Sequence, residues 1–430
     1  MIQEIKIKNF LSFKEEVTFS FEATKDTFAD DYQVVEVAKG VRLLRFAMIY
    51  GANASGKSNL LTVFNFLHHF WFYKPDDIDE EIGVIPFKLD KITTNEPSSF
   101  ELIFYVNSTK YWYQLELDEK QVYTEKLFYY KTVQPTLLFH RELINDQSVI
   151  NFNSAAVKVS SVVKEKISVE CLKNMSFFAA RDKVNATIPE IDVAKDWLKK
   201  QIMPVVSPRT KMFQYAEKQM LENKDIKSYL LNFVRAADFN IVDINTQIEK
   251  KEIPQKVVDY FMNNPETTEQ EKEKLKKDRF VSTPKTSFMH TVSNERGEEI
   301  YSLPENLQSE GTKRIFGLEA AIYNAIQDNC FLFIDEVETS LHPQLLRFVL
   351  LNFLRKESSR SQLLITTHYD PLLNDIDEIF RKDSVWFTEK TKSGHTDVYS
   401  LTDFKGLNRL SSIQKAYNYR KFGAYPEIDL

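Results

Sequence analysis

Glycine is scarce in this chain, 10 residues in 430, well under the usual ~7 per cent. Two of them, Gly51 and Gly56, stand on one short loop, so that loop is a signal rather than filler. Cysteine is scarcer still: only Cys171 and Cys330 occur, far apart and outside any Cys or His spacing of a zinc site. Neither a disulfide framework nor a structural metal is supported, and the usage suits a reducing cytoplasm. A basic excess is lacking too. The net charge is −6, which gives no global footprint for nucleic acid, so any DNA contact must come from a local patch or a partner protein. No window approaches the ~20 apolar residues of a membrane span. Met1 to Phe10 alternates apolar and polar like a strand, unlike a signal peptide. The expectation is a cytoplasmic protein with no membrane partner, in which the triplets at Asn107 and Asn185 are not glycosylated.

Apolar residues make up 43% of the chain, ample for two or three ordinary cores. Strand patterns lead up to about residue 60, and Lys57 to Phe72 reads as a helix with Leu60, Leu61, Phe64 and Leu67 on one face. Aromatic and β-branched runs at Phe100 to Val106, Tyr111 to Leu117, Gln121 to Lys131 and Thr136 to Phe139 read as an antiparallel meander. After Pro189 the pattern becomes helical and charged, through Asp192 to Ile202, Arg209 to Leu221 and Asp225 to Ala237, ending in the Glu/Lys-rich stretch Glu266 to Arg279. From Ser287 onward strands and helices alternate again. The expected organisation is an N-terminal lobe over 1–150, a mainly helical insertion over 151–285 and a C-terminal lobe over 286–430. The insertion reads as a compact lid or partner platform, because prolines 204, 208, 254 and 265 interrupt it and sustained heptads are absent.

The loop Gly51-Ala52-Asn53-Ala54-Ser55-Gly56-Lys57-Ser58 fits G-x-x-x-x-G-K-[ST] and lies between an apolar run and a helix. That is the order a phosphate-binding loop requires, so a nucleoside triphosphate is the first ligand expected. Cys330 to Ile334 is a buried-strand run ending in Asp335 and Glu336; ligands of α/β sheets sit at the carboxyl ends of such strands. Asp335 would hold Mg²⁺ alongside the Ser58 hydroxyl, and Glu336 would polarise the attacking water. Ser309 can cap the helical run Ile315 to Ile326, whose first turn offers N–H groups to an anion. A second strand, Gln362 to Thr367, ends in His368. A lone histidine there is more often structural, but phosphate loop, serine-glycine helix start, acidic strand end and strand-borne histidine form an order that unrelated kinases and GTPases do not share.

With that order the chain resembles the ABC-type ATPase heads of the structural-maintenance-of-chromosomes (SMC) and RecF class. The resemblance runs through Ile5 to Phe13, Gly51 to Asn59, Ser309 to Arg314, Ile334 to Pro343 and Ile365 to His368. Within that class, Ser309 to Arg314, Ser340 to Pro343 and Phe422 to Pro426 are similar to compact prokaryotic AAA-domain ATPases of abortive infection and phage defence, such as the AbiL type and the PARIS ATPase. The resemblance implies an α/β, ABC/SMC-like P-loop NTPase head with an antiparallel β meander and an inserted helical lid. It implies Walker A at Gly51, Asn53, Ala54, Ser55, Gly56, Lys57, Ser58 and Asn59, with Lys57 on the phosphates and Ser58 and Asp335 on Mg²⁺. Glu336 would be the catalytic base, Ser340 and Leu341 the D-loop, and His368 the histidine that senses the γ-phosphate. Ser309 and Gly311 would be a signature contacting the ATP held by the opposite subunit, which implies a homodimer or higher homo-oligomer closing head to tail around ATP.

The chain departs from the family's Leu-Ser-Gly-Gly-Gln wording, with Glu310 in place of the first glycine. An acid facing phosphate in trans would be repelled, so Glu310 is expected to point away or to pair with Lys313 or Arg314. No Q-loop glutamine is identified, since Gln114 and Gln121 fall on the meander, and no adenine contact is assigned, although Asn9 to Phe13 lies where relatives touch the base. The expected function is an ATPase acting as sensor or regulator of an operon-encoded effector in antiviral defence. The alternative is a RecF-like repair ATPase binding DNA directly, which the acidic balance does not favour. The acidic run Asp76 to Glu81 reads as an exposed turn rather than a nuclease site.

Overall fold

The computed structural model describes residues 1–426 apart from 238–239, 265–266, 269–271, 274, 276, 278 and 357–358. Much of the charged stretch 266–279 therefore lies outside the described residues. Along the chain run β1 (Ile2–Lys8), β2 (Val17–Ser20), β3 (Val34–Ala38), β4 (Val41–Leu44), β5 (Phe46–Tyr50) and α1 (Lys57–Phe72). Next come β6 (Ser98–Val106), β7 (Thr109–Leu117), β8 (Val122–Tyr130), β9 (Thr136–Ile144), β10 (Gln147–Phe152) and α2 (Pro189–Gln201). Then follow α3 (Met212–Glu222), α4 (Lys224–Ala236), β11 (Ile241–Glu252), β12 (Phe280–Asn294) and β13 (Gly297–Pro304). The chain continues through α5 (Glu310–Asp328), β14 (Phe331–Ile334), α6 (Pro343–Leu354), β15 (Gln362–Thr366), β16 (Val385–Lys390) and β17 (Thr396–Ser400).

These elements cluster into two compact units, the first comprising 1–208, 324–339 and 349–430, the second 209–323 and 340–348. The sequence-based division cuts the chain differently. Residues 151–208 fall in the first unit because α2 buries Ile191, Ala194 and Leu198 there and stacks Trp197 on Phe104 at 5.0 Å. Within the middle region the helices Met212–Glu222, Lys224–Ala236 and Gln255–Asn263 are joined by a strand that the charged pattern did not announce, Ile241–Glu252. Its β-branched residues Ile244, Thr246 and Ile248 recur with period two, a strand signal that the surrounding charge obscures.

In the first unit a seven-stranded sheet has the order β10-β9-β8-β7-β6-β1-β2 and is antiparallel throughout. The expected meander forms its centre, and the N-terminal strands extend it. Alternation sets the register: Phe100, Leu102 and Phe104 of β6 and Tyr111, Tyr113, Leu115 and Leu117 of β7 all face one core. A five-stranded sheet has the order β14-β15-β5-β16-β17, parallel except for the last pair. Its strands β5, β14 and β15 are buried along their whole length, which is why β5 and β14 read as apolar runs and β15 as Leu363 to Ile365 between polar ends. Leu60, Leu61, Phe64, Leu67 and Trp71 of α1 join residues of both sheets in one core.

The second unit has a three-stranded antiparallel sheet, β11-β12-β13. Phe288 of β12 meets Phe213 of α3 at a ring separation of 6.0 Å and Phe316 of α5 at 5.5 Å. Among the described residues no helix is long and apolar enough to cross a membrane.

Candidate functional site

The parallel sheet places the candidate residues along one edge. Ile334 pairs with Ile365 and Thr366 with Ile49, so β14, β15 and β5 end side by side, leading into Asp335-Glu336, Thr367-His368 and Gly51. Neighbouring strands are ~4.8 Å apart, so the intervening β15 sets the acidic pair about two strand spacings from the loop strand. This geometry decides what lies between them: Thr366 and His368.

The loop from Gly51 turns into α1 with Ala54 and Gly56 in the left-handed region, at φ 61° and 103°. Gly56 is required there, because a Cβ would also meet Thr396 Oγ1 at 2.4 Å and Ser12 Oγ at 2.8 Å. At Gly51 a Cβ would come within 2.5 Å of the Thr388 carbonyl. The hairpin β16-β17 thus braces the loop: Ser55 Oγ and Thr388 Oγ1 are 2.7 Å apart, and Thr396 Oγ1 donates to the Ser55 carbonyl at 2.8 Å. Asn59 Nδ2 donates to Ser12 Oγ at 2.8 Å, tying the helix start to the segment after β1. Asn53, Ala54 and Ser58 are exposed, whereas Ser55 and Lys57 are buried.

Lys57 is only 5% exposed and donates to the carbonyls of Gly51 at 2.9 Å and Ala52 at 3.1 Å. Burial lowers its pKa to about 8, against the opposing pull of Asp335, Glu336 and Glu338. Ser58 Oγ donates to Asp335 Oδ1 at 3.0 Å, and Thr366 Oγ1 donates to the same oxygen at 2.6 Å. Thr366 Oγ1 in turn accepts from the Glu336 N–H at 2.8 Å. Glu336 sits at φ 46°, a left-handed conformation that costs a non-glycine residue ~1–3 kcal/mol and persists only where the surroundings impose it. Thr366 and the Val337 N–H donating to its carbonyl at 3.1 Å supply that restraint. His368 is exposed, and its N–H donates to Glu338 Oε1 at 2.6 Å. Desolvation and then Lys57 lower the His368 pKa below its usual value, so the ring is largely neutral at pH 7.

The first unit therefore gathers the phosphate loop, Asp335, Glu336 and His368, and adds residues not singled out from sequence: Thr366 and Glu338 beside the acids, and Ser12, Thr388 and Thr396 beside the loop. Hydroxyl side chains late in a strand carry no distinctive spacing, and only the sheet order shows which of them reach the site. The donor set fits a phosphate chain with a hard cation. An ammonium and the first-turn N–H groups of α1 suit phosphate oxygens, while a hydroxyl and a carboxylate 3.0 Å apart suit Mg²⁺, which usually keeps only one or two protein ligands. Among the described residues no cluster of three or more His, Cys, Asp or Glu could hold a metal by itself.

Ser309, Gly311, Ser340 and Leu341 belong to the second unit. Ser309 Oγ accepts from the Thr312 N–H at 3.0 Å, capping α5. A Cβ on Gly311 would come 2.7 Å from the Ser340 carbonyl, and Ser340 itself stands at φ 62°. Glu310 pairs with Lys313, one of the two arrangements expected for it. In the Asn9 to Phe13 segment, Phe10 and Phe13 are 2% and 0% exposed, so neither offers a face for adenine. Asn9 is buried with its amide on the Thr93, Glu96 and Pro97 carbonyls and the Phe87 N–H. Gln114 donates to Glu101 on the sheet. Asp76 to Glu81 forms a turn in which Tyr73 donates to Glu80. Cys171 and Cys330 are buried and unpaired with each other.

Sheet order and loop geometry define an α/β P-loop NTPase fold with an antiparallel sheet beside the parallel one. The chain belongs to the family described as "AAA domain, putative AbiEii toxin, Type IV TA system", whose model matches residues 46–156 and 198–374, more than half of the chain. No curated protein matches the sequence. Among solved structures, the SMC head domain from Thermotoga maritima is similar at 14% identity and TM-score 0.41, over 93% of this chain and 98% of that one. An SMC head bound to the C-winged helix domain of ScpA is similar at 12% identity and TM-score 0.44, over 96% of this chain and 99% of that one. An SMC head with an extended coiled coil, bound to the C-terminal domain of ScpA derived from Pyrococcus furiosus, is similar at 12% and 0.38, over 98% of both chains.

Proposed function

We propose that the chain is an ATP-binding and hydrolysing ABC-type ATPase that closes head to tail around ATP and regulates a separate effector in anti-phage defence. The observation that carries the catalytic part is the contact of Ser58 Oγ with Asp335 Oδ1 at 3.0 Å, beside a buried Lys57. A bound Mg²⁺ would supply charge neutralisation for the phosphate chain. Lys57 would leave the loop carbonyls for the phosphates, exchanging two neutral acceptors for charged ones. Ser58 and Asp335 would ligate the cation, Glu336 would orient and deprotonate the attacking water, and a largely neutral His368 could accept or donate near the γ-phosphate without adding a fixed charge. Gly51, Asn53, Ala54, Ser55, Gly56 and Asn59 would shape the loop around the phosphates.

Ser309 and Gly311 would meet the ATP of a second copy, with Ser340 and Leu341 alongside. Supporting this, the Glu310–Lys313 pair neutralises the acid that replaces a glycine in the signature. The defence role is supported by the family description, which names a toxin of a type IV toxin–antitoxin system. Direct DNA binding gains nothing from Lys199, whose ammonium is paired with Asp182 at 3.1 Å.

A mixing experiment tests the dimer. Lys57→Ala and Ser309→Arg chains should each be inactive in phosphate release, yet mixing them should restore activity, since one composite site then combines an intact Lys57 with an intact Ser309. Glu336→Gln should bind ATP, lose turnover and accumulate as a dimer in size-exclusion chromatography. A Glu336→Gln chain that stays monomeric with saturating ATP, together with no recovery on mixing, would refute head-to-tail closure. Co-purification with the products of neighbouring genes, and phage plating with the operon lacking this gene, test the regulatory role.

A further inference from the structure

The second unit holds a half-open cavity of about 920 Å³ lined by α3, β11, β12 and the turn Glu305–Leu307. The size is typical of small-ligand pockets, and the unusual feature is its acids. Glu217 of α3 is only 3% exposed, and its Oε1 has no hydrogen-bond partner among the described residues. Glu305 lines the same cavity, and its Oε2 is likewise buried and unpartnered among the described residues. The two carboxyls lie within hydrogen-bond reach of each other, so either a proton shared between them or something cationic bound there satisfies oxygens that would be costly to leave alone.

The other charges of the cavity narrow what that something is. Lys251 and Lys285 both contact Glu249 Oε2, at 3.4 and 3.5 Å, and Lys218 lies 3.9 Å from Glu222. The cations are thus already offset by other acids, while Glu217 and Glu305 are not, so an anionic ligand finds no surplus positive charge. A bare metal ion would leave most of a cavity of about 920 Å³ empty, and among the described residues no group of three or more His, Cys, Asp or Glu could hold one there.

We propose that this cavity binds a small organic cation, with a guanidinium or primary ammonium head on Glu217 and Glu305 and a polar body along β11 and β12. A guanidinium offers donors in a planar fork that matches carboxylate oxygens, and an ammonium offers three. Burial first, and Glu305 after the opposing contribution of Thr286, push Glu217 up to about 7. Below that pH Glu217 keeps a proton that the ligand must displace, and above it Glu217 is ionised. With that proton as competitor, affinity should be roughly tenfold lower at about pH 6 than at about pH 8.

The test is calorimetric titration of the full chain with agmatine and with spermidine at those two pH values, with malonate as an anionic control. Saturable binding of at least one cation, tighter at the higher pH, is expected. Glu217→Gln should weaken it at least about tenfold and flatten the pH response; Glu305→Gln should weaken it too. The glutamines keep the shape of the acids while removing a buried charge, so loss of fold is not expected, and melting curves check this. Failure of both cations to bind below millimolar concentration, equal binding by wild type and both variants, or equal binding of malonate would overturn the assignment. None of these outcomes bears on ATP hydrolysis, which rests on other residues.

Discussion

Replacing Thr366 by valine removes one hydroxyl and two hydrogen bonds. Its donation to Asp335 Oδ1 at 2.6 Å is charge-assisted, and its acceptance from the Glu336 N–H at 2.8 Å holds a residue with φ 46°. A bond to a charged group contributes ~1.5–3 kcal/mol and a neutral one ~0.5–1.5 kcal/mol. Asp335 is only partly buried and keeps Ser58 as a partner, so the lower halves of those ranges apply and the expected loss is about 2–3 kcal/mol. Because the two units need not unfold together, the readout is the urea midpoint of the first transition rather than a single global free energy. Turnover should fall more than stability suggests, since each 1.4 kcal/mol of lost positioning is tenfold in rate. Nucleotide affinity should change little if Thr366 positions the acids without touching phosphate. Thr366→Ser keeps the oxygen and should restore both stability and turnover. If Thr366→Val matches wild type within about 0.5 kcal/mol and releases phosphate at the wild-type rate, the threonine does not hold the acidic pair.

Gly56→Ala should lower stability by more than ~2 kcal/mol, because it combines a disfavoured φ of 103° with contact at 2.4 Å from Thr396. Adding Thr396→Ala should recover only part of the loss of melting temperature, and full recovery would show that backbone strain contributes nothing. Nucleotide affinity, read with a fluorescent ATP analogue, should hold steady below about pH 8 and decline above it as Lys57 loses its proton; Lys57→Met should bind weakly with no such decline. Stability moves the other way. Between about 8 and the unfolded value of 10.5 the unfolded chain holds a proton that the folded one has released, so stability rises with pH across that window. A wild-type pH dependence indistinguishable from that of Lys57→Met in both measurements would show that Lys57 does not titrate there.

The phosphate loop, its helix and the buried strands were legible because they are local. Gly51 to Ser58 is contiguous, Lys57–Phe72 carries its apolar face at helical spacing, β14 is an unbroken apolar run closed by acids, and β15 carries Leu363 to Ile365 between polar ends. The meander was legible from alternation. The strand Ile241–Glu252 was not, since its charge and exposure blur a period-two signal that packing on one face alone maintains.

Sequence by itself determined which chemical groups are present and in what order, because a loop that cradles phosphate is written in consecutive residues. Tertiary structure decided which distant groups meet. Thr366 reaches Asp335 across 31 positions only because β15 lies between β14 and β5, and the hydroxyls of Thr388 and Thr396 brace the loop only because β16 and β17 lie on its other side. Strand order comes from how apolar faces are shared across the whole sheet, and no local spacing encodes it. The same holds for Glu217 and Glu305, which are unremarkable charges along the chain and become a site only when α3 and the turn after β13 bury them against one cavity.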